Sequence, residues 1–176
     1  MSESRSTILV VYYSRSGTTR RIAEMLAAEL GADIEAVREQ GANVSRAGAR
    51  GYLRSLIDAL CRRQVRIMPA LHDPSCYELV VMGSPVWAGH ASAPALAWLT
   101  EHGGQIRHLA LFCCLGGRGA KPALEQMAGS AHKTPVATCW ITAHDVRQRV
   151  DGERRQGFAR KIRHNLATRL EAEWGV

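Results

Sequence analysis

Residues 7–30 read TILVVYYSRSGTTRRIAEMLAAEL and combine two hydrophobic periods with a polar loop between them. The first seven residues are a continuous, apolar and largely β-branched run, which is typical of a strand buried on both faces. After the loop, the apolar side chains Ile22, Leu26 and Leu30 recur at helical spacing, and Gly31 follows as a helix stop. The stretch therefore predicts a buried strand, a short polar loop and an amphipathic helix.

The rest of the chain repeats this alternation. Further strands are predicted at 32–37, 78–83, 108–114 and 135–142. Further helices are predicted at 50–63, 93–102, 120–129 and about 153–172. Five strands that alternate with five helices predict a parallel sheet covered by helices on both faces. The expected fold class is α/β, built as a three-layer α/β/α sandwich.

The composition predicts a single domain over residues 1–176. Hydrophobic residues make up 46% and charged residues 22%, which gives no sign of disorder. The N-terminal residues lack the apolar region of a signal peptide, and no run approaches the ~20 apolar residues that span a bilayer. The five cysteines form no C-x-x-C pair and no zinc-like spacing. We therefore expect reduced thiols, no metal site and a cytoplasmic location.

The charge of the chain is positive and unevenly distributed. Lysine and arginine total 23 against 16 acidic residues, for a net charge of +7. The segment 38–66 holds seven arginines, at Arg38, Arg46, Arg50, Arg54, Arg62, Arg63 and Arg66. A second basic set lies near the C-terminus, at Arg154, Arg155, Arg160, Lys161 and Arg163. Such surfaces favour acidic proteins, anionic lipid or nucleic acid as partners, although a solvated helical face that binds nothing fits equally well.

The loop after the first strand is the first candidate for a binding site, because parallel sheets of this class bind ligands beyond the carboxyl ends of their strands. Residues 14–19 (SRSGTT) place four hydroxyls and one glycine at a helix N-terminus. That end of a helix presents free N–H groups and a partial positive charge, which suit a phosphate. The same residues also suit a plain helix cap made by Ser16 or Thr18. The loop has neither a P-loop lysine nor a G-x-G-x-x-G spacing.

This strand and loop resemble the first βα unit of the flavodoxin family. That family's motif is a short Ser/Thr-x-Thr/Ser-Gly-x-Thr loop that wraps the phosphate of flavin mononucleotide (FMN). The residues that match it are Ser14, Ser16, Gly17, Thr18 and Thr19. Arg15 either adds charge beside the phosphate or points to solvent. The resemblance implies non-covalently bound FMN and a five-stranded sheet in the order 2-1-3-4-5.

The loop after the third strand, residues 83–90 (GSPVWAGH), is similar to the G-[ST]-P-x-[WY]-x-G stretch of flavodoxin-like proteins. A tryptophan in such a loop presents a flat apolar face to a ligand, and the alternative is that it covers the adjacent helix. By the resemblance, Trp87 stacks on the flavin ring and the neighbouring backbone reaches the ring edge. The residues implied here are Ser84, Pro85, Val86, Trp87, Ala88 and Gly89.

The loop after the fourth strand holds three glycines within residues 116–119, which indicates a tight turn or a close approach of backbone to a ligand. In the resembling family this region closes over the other flavin face, and many members carry a tyrosine that is missing here. The residues implied are Leu115, Gly116, Gly117 and Gly119. The missing tyrosine predicts a ring that is open on one side. Cys114 is a second candidate for redox chemistry, but nothing nearby depresses its pKa, so we assign no catalytic residue.

These observations predict an FMN-binding redox protein, either an electron carrier or a small FMN-dependent oxidoreductase, with a partner protein or a small acceptor such as a quinone. The basic charge favours a membrane-surface enzyme acting on a quinone or protoporphyrinogen, with segment 38–66 on anionic lipid. A flavin-free binding or regulatory domain is the other alternative. A phosphoryl-accepting receiver is excluded, because the strand ends carry Ser14, Gly83 and Cys114 instead of acids. Nucleic-acid binding has only the charge in its favour.

Overall fold

The computed structural model of the protein describes residues 6–41 and 65–175. The helix predicted at 50–63 and most of the arginine-rich segment 38–66 lie outside the described residues. The strands are β1 (Ile8–Tyr12), β2 (Asp33–Ala36), β3 (Leu79–Trp87), β4 (His90–Ala91), β5 (His108–Leu115) and β6 (Ala137–Thr142). The α-helices are α1 (Thr18–Leu30), α2 (Ala93–His102), α3 (Ala120–Ala131), α4 (Ala143–Arg147) and α5 (Asp151–Trp174).

The sheet has five parallel strands in the order β2-β1-β3-β5-β6. If β4 is left out and the parallel strands are numbered along the chain, this is the predicted order 2-1-3-4-5. Helices cover both faces of the sheet, as expected. The prediction of five strands was nevertheless one short. The sixth strand, β4, pairs antiparallel with the end of β3. The strand order reverses between β1 and β3, so the carboxyl ends of these two strands frame the switch point where ligands bind in such sheets.

The sixth strand exists because β3 continues past Gly83, where the sequence predicted its end, as far as Trp87. Ala88 and Gly89 then have positive φ angles of 50° and 80°. Two consecutive residues of this kind are typical of a tight two-residue hairpin turn. Trp87 consequently lies opposite His90 in the returning strand. Most of the predicted loop 83–90 is therefore a β-hairpin, which holds its side chains more rigidly than a loop would.

The core consists of two hydrophobic layers, one on each face of the sheet. On one face, α1 and α5 pack against the sheet through buried residues that include Ile22, Leu26, Phe158 and Ile162. On the other face, α2 and α3 contribute Trp98, Leu99 and Met127. Alternate residues of β1 enter the two layers, because successive side chains of a strand point to opposite faces. This explains why the sequence of β1 is apolar throughout rather than alternating.

The observed ends of α1, α2 and α3 agree with the predicted ends to within two residues, and the differences lie in the C-terminal part of the chain. Helix α1 ends at Gly31, whose φ of 62° lets its N–H bond to the carbonyl of Ala27. The last helix is longer than predicted, and the short helix α4 was not predicted. Helix α4 begins with a capping box: the Oγ1 of Thr142 accepts from the N–H of Asp145, and the Oδ2 of Asp145 accepts from the N–H of Thr142. None of the helices within 6–41 and 65–175 is long and apolar enough to cross a membrane.

Candidate functional site

The loops that follow β1, β3 and β5 enclose a cleft of about 460 Å³ at the carboxyl edge of the sheet. Small-molecule sites in proteins typically have volumes of roughly 300–1,000 Å³. Eleven of the residues with a predicted cofactor role line it: Arg15, Ser16, Thr18, Thr19, Pro85, Val86, Trp87, Ala88, Leu115, Gly116 and Gly117. The three loops singled out from the sequence therefore meet at one place. Whether these residues hold a cofactor stays a prediction.

The loop before α1 presents an uncapped helix N-terminus to the cleft. The N-cap residue is Gly17, with a φ of 91°, and no side chain of the described residues caps the helix. The Oγ of Ser14 instead accepts a hydrogen bond from the N–H of Gly17 at 3.1 Å, which closes the turn. The interpretation of Ser16 or Thr18 as the helix cap was therefore wrong. The first N–H groups of α1, which an α-helix cannot satisfy itself, are left for an acceptor from outside the helix.

Thr19 lies at the floor of the cleft and is almost fully buried. Its hydroxyl faces the thiol of Cys114, at the end of β5, and opposes the rise in the pKa of that thiol. The side chain is thus turned toward the sheet, whereas Ser16 is exposed and Thr18 is half-buried in the wall of the cleft. The hydroxyls that remain available to a ligand are those of Ser16 and Thr18.

Trp87 forms one wall of the cleft, at the tip of the β3–β4 hairpin. It packs against the surface of the core and meets the ring of Tyr13 edge-on, with 6.5 Å between ring centroids and 87° between planes. The guanidinium of Arg15 lies 5.0 Å from the centroid of the Trp87 ring, within the range of a cation–π contact. Arg15 is thus half-buried against an aromatic ring and does not simply point to solvent. The ring of Trp87 is anchored on one side and borders the cleft on the other.

Five residues with a predicted cofactor role do not line the cleft: Ser14, Gly17, Ser84, Gly89 and Gly119. Ser84 is fully buried, and its Oγ accepts from the N–H of Ser92 at 2.9 Å and donates to the carbonyl of Pro85 at 2.9 Å. Ser92 is the N-cap residue of α2, so these bonds tie the hairpin to that helix. The contribution of Ser84 is to fix the position of the hairpin.

The third loop touches the hairpin through two glycines. Gly119, at the N-cap of α3, has a φ of 101°, and a Cβ there would lie 2.5 Å from the Cα of Gly89. The close approach of the two backbones therefore requires glycine at 119. Residues Gly116, Gly117 and Arg118 are exposed, and no aromatic residue stands in this loop. Among the described residues, none covers this side of the cleft.

Three lining residues were not assigned from the sequence: Cys114, Arg118 and Ala143. Cys114 and Arg118 lie beside or within the glycine-rich stretch that was assigned to the site, so the same motif could have predicted that they line the cleft. Ala143 directly follows β6, and no motif marks the sequence at this point. It could be assigned to the cleft only if the exact end of β6 were known. With Arg118 included, the lining residues that belong to the described part of the chain carry two arginines and no aspartate or glutamate. The positive charge of the exposed Arg118 favours an anionic ligand.

The thiol at the floor of the cleft is neutral at physiological pH. Burial raises the pKa of Cys114 to about 12, against the opposing effect of the Thr19 hydroxyl. Burial also raises the pKa of Cys113 to about 12 and that of Cys139 to about 11. Thiolates are the reactive form of cysteine, so Cys114 is a poor nucleophile here. The four cysteines in the described part of the chain are all free.

These buried thiols predict that the protein loses stability in alkali. The unfolded chain releases the thiol protons near pH 9, whereas the folded chain keeps them up to about pH 11–12. Between these pH values the folded state binds more protons, so the free energy of unfolding should fall by about 1.4 kcal/mol per pH unit for each thiol. Urea unfolding from pH 8 to 10.5 measures the slope. Cys113→Ala should make this slope shallower, whereas Cys76→Ala, at an exposed position, should leave it unchanged. Equal slopes for the unmodified protein and both variants would contradict the attribution of the alkaline loss of stability to the buried thiols.

Comparison with known proteins supports the fold through structure and not through sequence. No protein-family profile matches the chain, and no curated protein sequence matches it. Among solved structures, a flavoprotein from Lactobacillus acidophilus in complex with FMN is 20% identical, with a TM-score of 0.68 over 81% of this chain and 97% of that one. A flavodoxin, WrbA-like protein from Agrobacterium tumefaciens is 16% identical, with a TM-score of 0.54 over 91% of this chain and 97% of that one. An NADH:FMN oxidoreductase in its apo form is 13% identical, with a TM-score of 0.52 over 92% and 89%. The chain has a flavodoxin-like fold.

Proposed function

We propose that the protein binds FMN non-covalently in the cleft and acts as an FMN-dependent redox protein. The observation that carries this proposal is that an uncapped helix N-terminus and an anchored tryptophan border the same cleft of a flavodoxin-like fold. The solved structure of the L. acidophilus flavoprotein contains FMN, which supports the choice of cofactor. The cofactor and the residues that hold it are proposed together, since each depends on the other.

The loop before α1 suits the FMN phosphate. It offers free backbone N–H groups and the positive end of the helix dipole, together with the hydroxyls of Ser16 and Thr18. The positive φ of Gly17 lets the backbone turn into the helix without a side chain in the way. Ser14 keeps this turn closed through its bond to the N–H of Gly17. The loop is thus shaped before the ligand arrives, which lowers the entropy cost of binding.

The hairpin and the third loop suit the flavin ring. A flat, wide and poorly hydrated ring is held most effectively by stacking, and Trp87 provides the aromatic wall. Val86 and Leu115 give apolar surface below it, and the neutral thiol of Cys114 adds no negative charge to the floor. When bound, FMN supplies one- and two-electron transfer through its ring. The chain itself contributes orientation, exclusion of water on the Trp87 side, and backbone N–H groups that stabilise negative charge.

We further propose that electrons pass to a small molecule, such as a quinone, through the open side of the cleft. The third loop has exposed glycines and no aromatic residue to cover a ring, so a second flat molecule has room to approach. The exposed Arg118 makes this approach favourable for an anionic or strongly polar acceptor. A redox partner protein is the alternative acceptor.

An absorbance spectrum of freshly purified protein, followed by FMN titration of the apoprotein, tests the cofactor. We expect bands near ~370 and ~450 nm and saturable FMN binding. Riboflavin, which lacks the phosphate, should bind at least about tenfold more weakly, because charge-assisted hydrogen bonds at the helix end are lost. Colourless protein that binds no FMN at micromolar concentration would instead support a flavin-free binding domain. Anaerobic mixing of reduced holoprotein with a water-soluble quinone tests the acceptor; absence of reoxidation would favour a protein partner.

A further inference from the structure

A second concave surface lies away from the cleft, between the edge strand β6 and the helix α5. This groove has a volume of about 470 Å³. Its lining residues are Thr138, Cys139, Trp140, Arg154, Gly157, Phe158, Arg160, Lys161 and His164. We propose that the groove binds an extended, acidic segment of a partner protein, with Trp140 receiving an apolar side chain of that segment.

The charge of the groove favours an acidic partner. Arg154, Arg160 and Lys161 line it together with His164, and within 6–41 and 65–175 no aspartate or glutamate lines it. The side chain of Asp145 lies 3.5 Å from the Nε of Arg154, but it also accepts hydrogen bonds from Thr142. The groove therefore carries an excess of positive charge in a concave surface, which concentrates the electrostatic field.

Trp140 supplies an apolar contact point in this basic surface. It is 44% exposed, although it lies on a strand of the central sheet. The guanidinium of Arg154 lies 6.0 Å from its ring centroid. Tryptophan and arginine are the residues that most often contribute large binding energies at protein interfaces. An exposed tryptophan flanked by cations fits a peptide that combines acidic and apolar side chains.

Gly157 gives a second, independent indication that the groove is a binding surface. It lies in the interior of α5, on the face that carries Arg154, Lys161 and His164 at steps of three and four residues. Glycine is a poor helix former, so a residue with a side chain would stabilise the helix more. A Cβ at this position would meet nothing closer than 3.9 Å, at the Nη2 of Arg160. Packing within the chain therefore does not demand glycine here, and its effect is to leave the groove open opposite the edge strand.

The backbone of β6 can extend the sheet. Within the described residues, β6 pairs only with β5. The N–H of Val136 donates to the carbonyl of Leu109 in β5, so strand alternation turns the backbone groups of Ala137, Cys139 and Ile141 away from β5. An extended peptide gains main-chain hydrogen bonds along such an edge. A concave groove at a strand edge suits a chain better than it suits a flat bilayer.

Fluorescence anisotropy with the full-length protein tests this proposal. The probe is a fluorescein-labelled octapeptide of alternating glutamate and valine, and the control probe replaces glutamate by lysine. We expect saturable binding of the acidic probe at 20 mM NaCl, weaker binding at 150 mM, and no binding of the lysine probe. The double variant R154E/K161E should weaken binding at least about tenfold. Arg169→Glu, on the same helix but outside the groove, should change it less than about twofold.

A second variant separates loss of the groove from loss of the fold. Gly157→Leu fills the groove while it raises helix propensity, so it should weaken peptide binding without lowering the melting temperature. Absence of binding by the unmodified protein, or binding by Gly157→Leu or R154E/K161E that equals that of the unmodified protein, would overturn the proposal. It would also be overturned if phosphatidylserine vesicles or a single-stranded oligonucleotide competed for the groove and bound more tightly than the peptide.

Discussion

Gly119→Ala is expected to destabilise the protein by roughly 2–4 kcal/mol and to weaken FMN binding about tenfold or more. Two costs combine at this position. The φ of 101° is unfavourable for any residue with a side chain, and the new Cβ would lie 2.5 Å from the Cα of Gly89. The obstructing atom is backbone, so it cannot move aside as a flexible side chain would. Relief requires the third loop and the hairpin to separate, and both of these border the cleft.

Urea unfolding and FMN titration of the same preparations measure the two effects. Gly116→Ala is the matched control, because it lies in the same loop, has no positive φ and would meet nothing within 4 Å. It should change stability by less than about 0.5 kcal/mol. If Gly119→Ala unfolds at the same urea concentration as the unmodified protein, the contact between the two loops is absent in solution. Loss of stability with unchanged FMN affinity would place the flavin elsewhere.

The sequence predicts the sheet well because its central strands are buried on both faces. Such strands are apolar at nearly every position, and this leaves short, continuous and β-branched runs like residues 8–12 that end at turn residues. The bounds of helix α1 are predicted correctly for a related reason. Its buried residues recur every three or four positions, and Gly31 ends the helix in a left-handed conformation. In both cases the burial pattern itself specifies the element.

The hairpin could not be predicted because its residues favour a loop. Gly83, Ser84 and Pro85 are uncommon in strands, and proline lacks the N–H that a strand interior needs. Strand β1 ends opposite Gly83, so from Ser84 onward one edge of β3 has no parallel neighbour to pair with and tolerates proline. Pairing with β5 on the other edge then keeps the segment extended. This tertiary pairing has no signature in the local sequence.

Motifs that follow strands predicted three of the loops at the cleft, and Ala143, which follows β6, was missed because no motif marks it. The hydroxyl-rich loop, the tryptophan loop and the glycine-rich loop all border the cleft, because the parallel strands deliver their carboxyl ends to one edge. The orientation of individual side chains could not be predicted from these motifs. Thr19 is buried at the floor of the cleft, and Ser84 is hydrogen-bonded to Ser92 at the start of α2, because each side chain packs against another element of the fold.

Trp87→Ala is expected to raise the dissociation constant for FMN by about 5- to 150-fold. Loss of stacking between a flat ring and an aromatic side chain typically costs roughly 1–3 kcal/mol, and each 1.4 kcal/mol is a factor of ten in affinity. Trp87→Phe should recover most of the affinity, because the flat apolar wall is kept. Calorimetric titration is the appropriate measurement, since it does not depend on quenching of flavin fluorescence by the residue that is removed.

Trp174→Ala is the matched control for this substitution, because Trp174 is 79% exposed and does not line the cleft. It should leave FMN affinity within about twofold. Trp87 also packs against Tyr13, so a fall in stability alone would not distinguish stacking from support of the hairpin. The riboflavin affinity does distinguish them: lost stacking weakens FMN and riboflavin by the same factor, because both carry the same ring. Hairpin displacement that disturbs the phosphate loop weakens FMN more than riboflavin, and that result would assign Trp87 to positioning rather than to contact with the flavin.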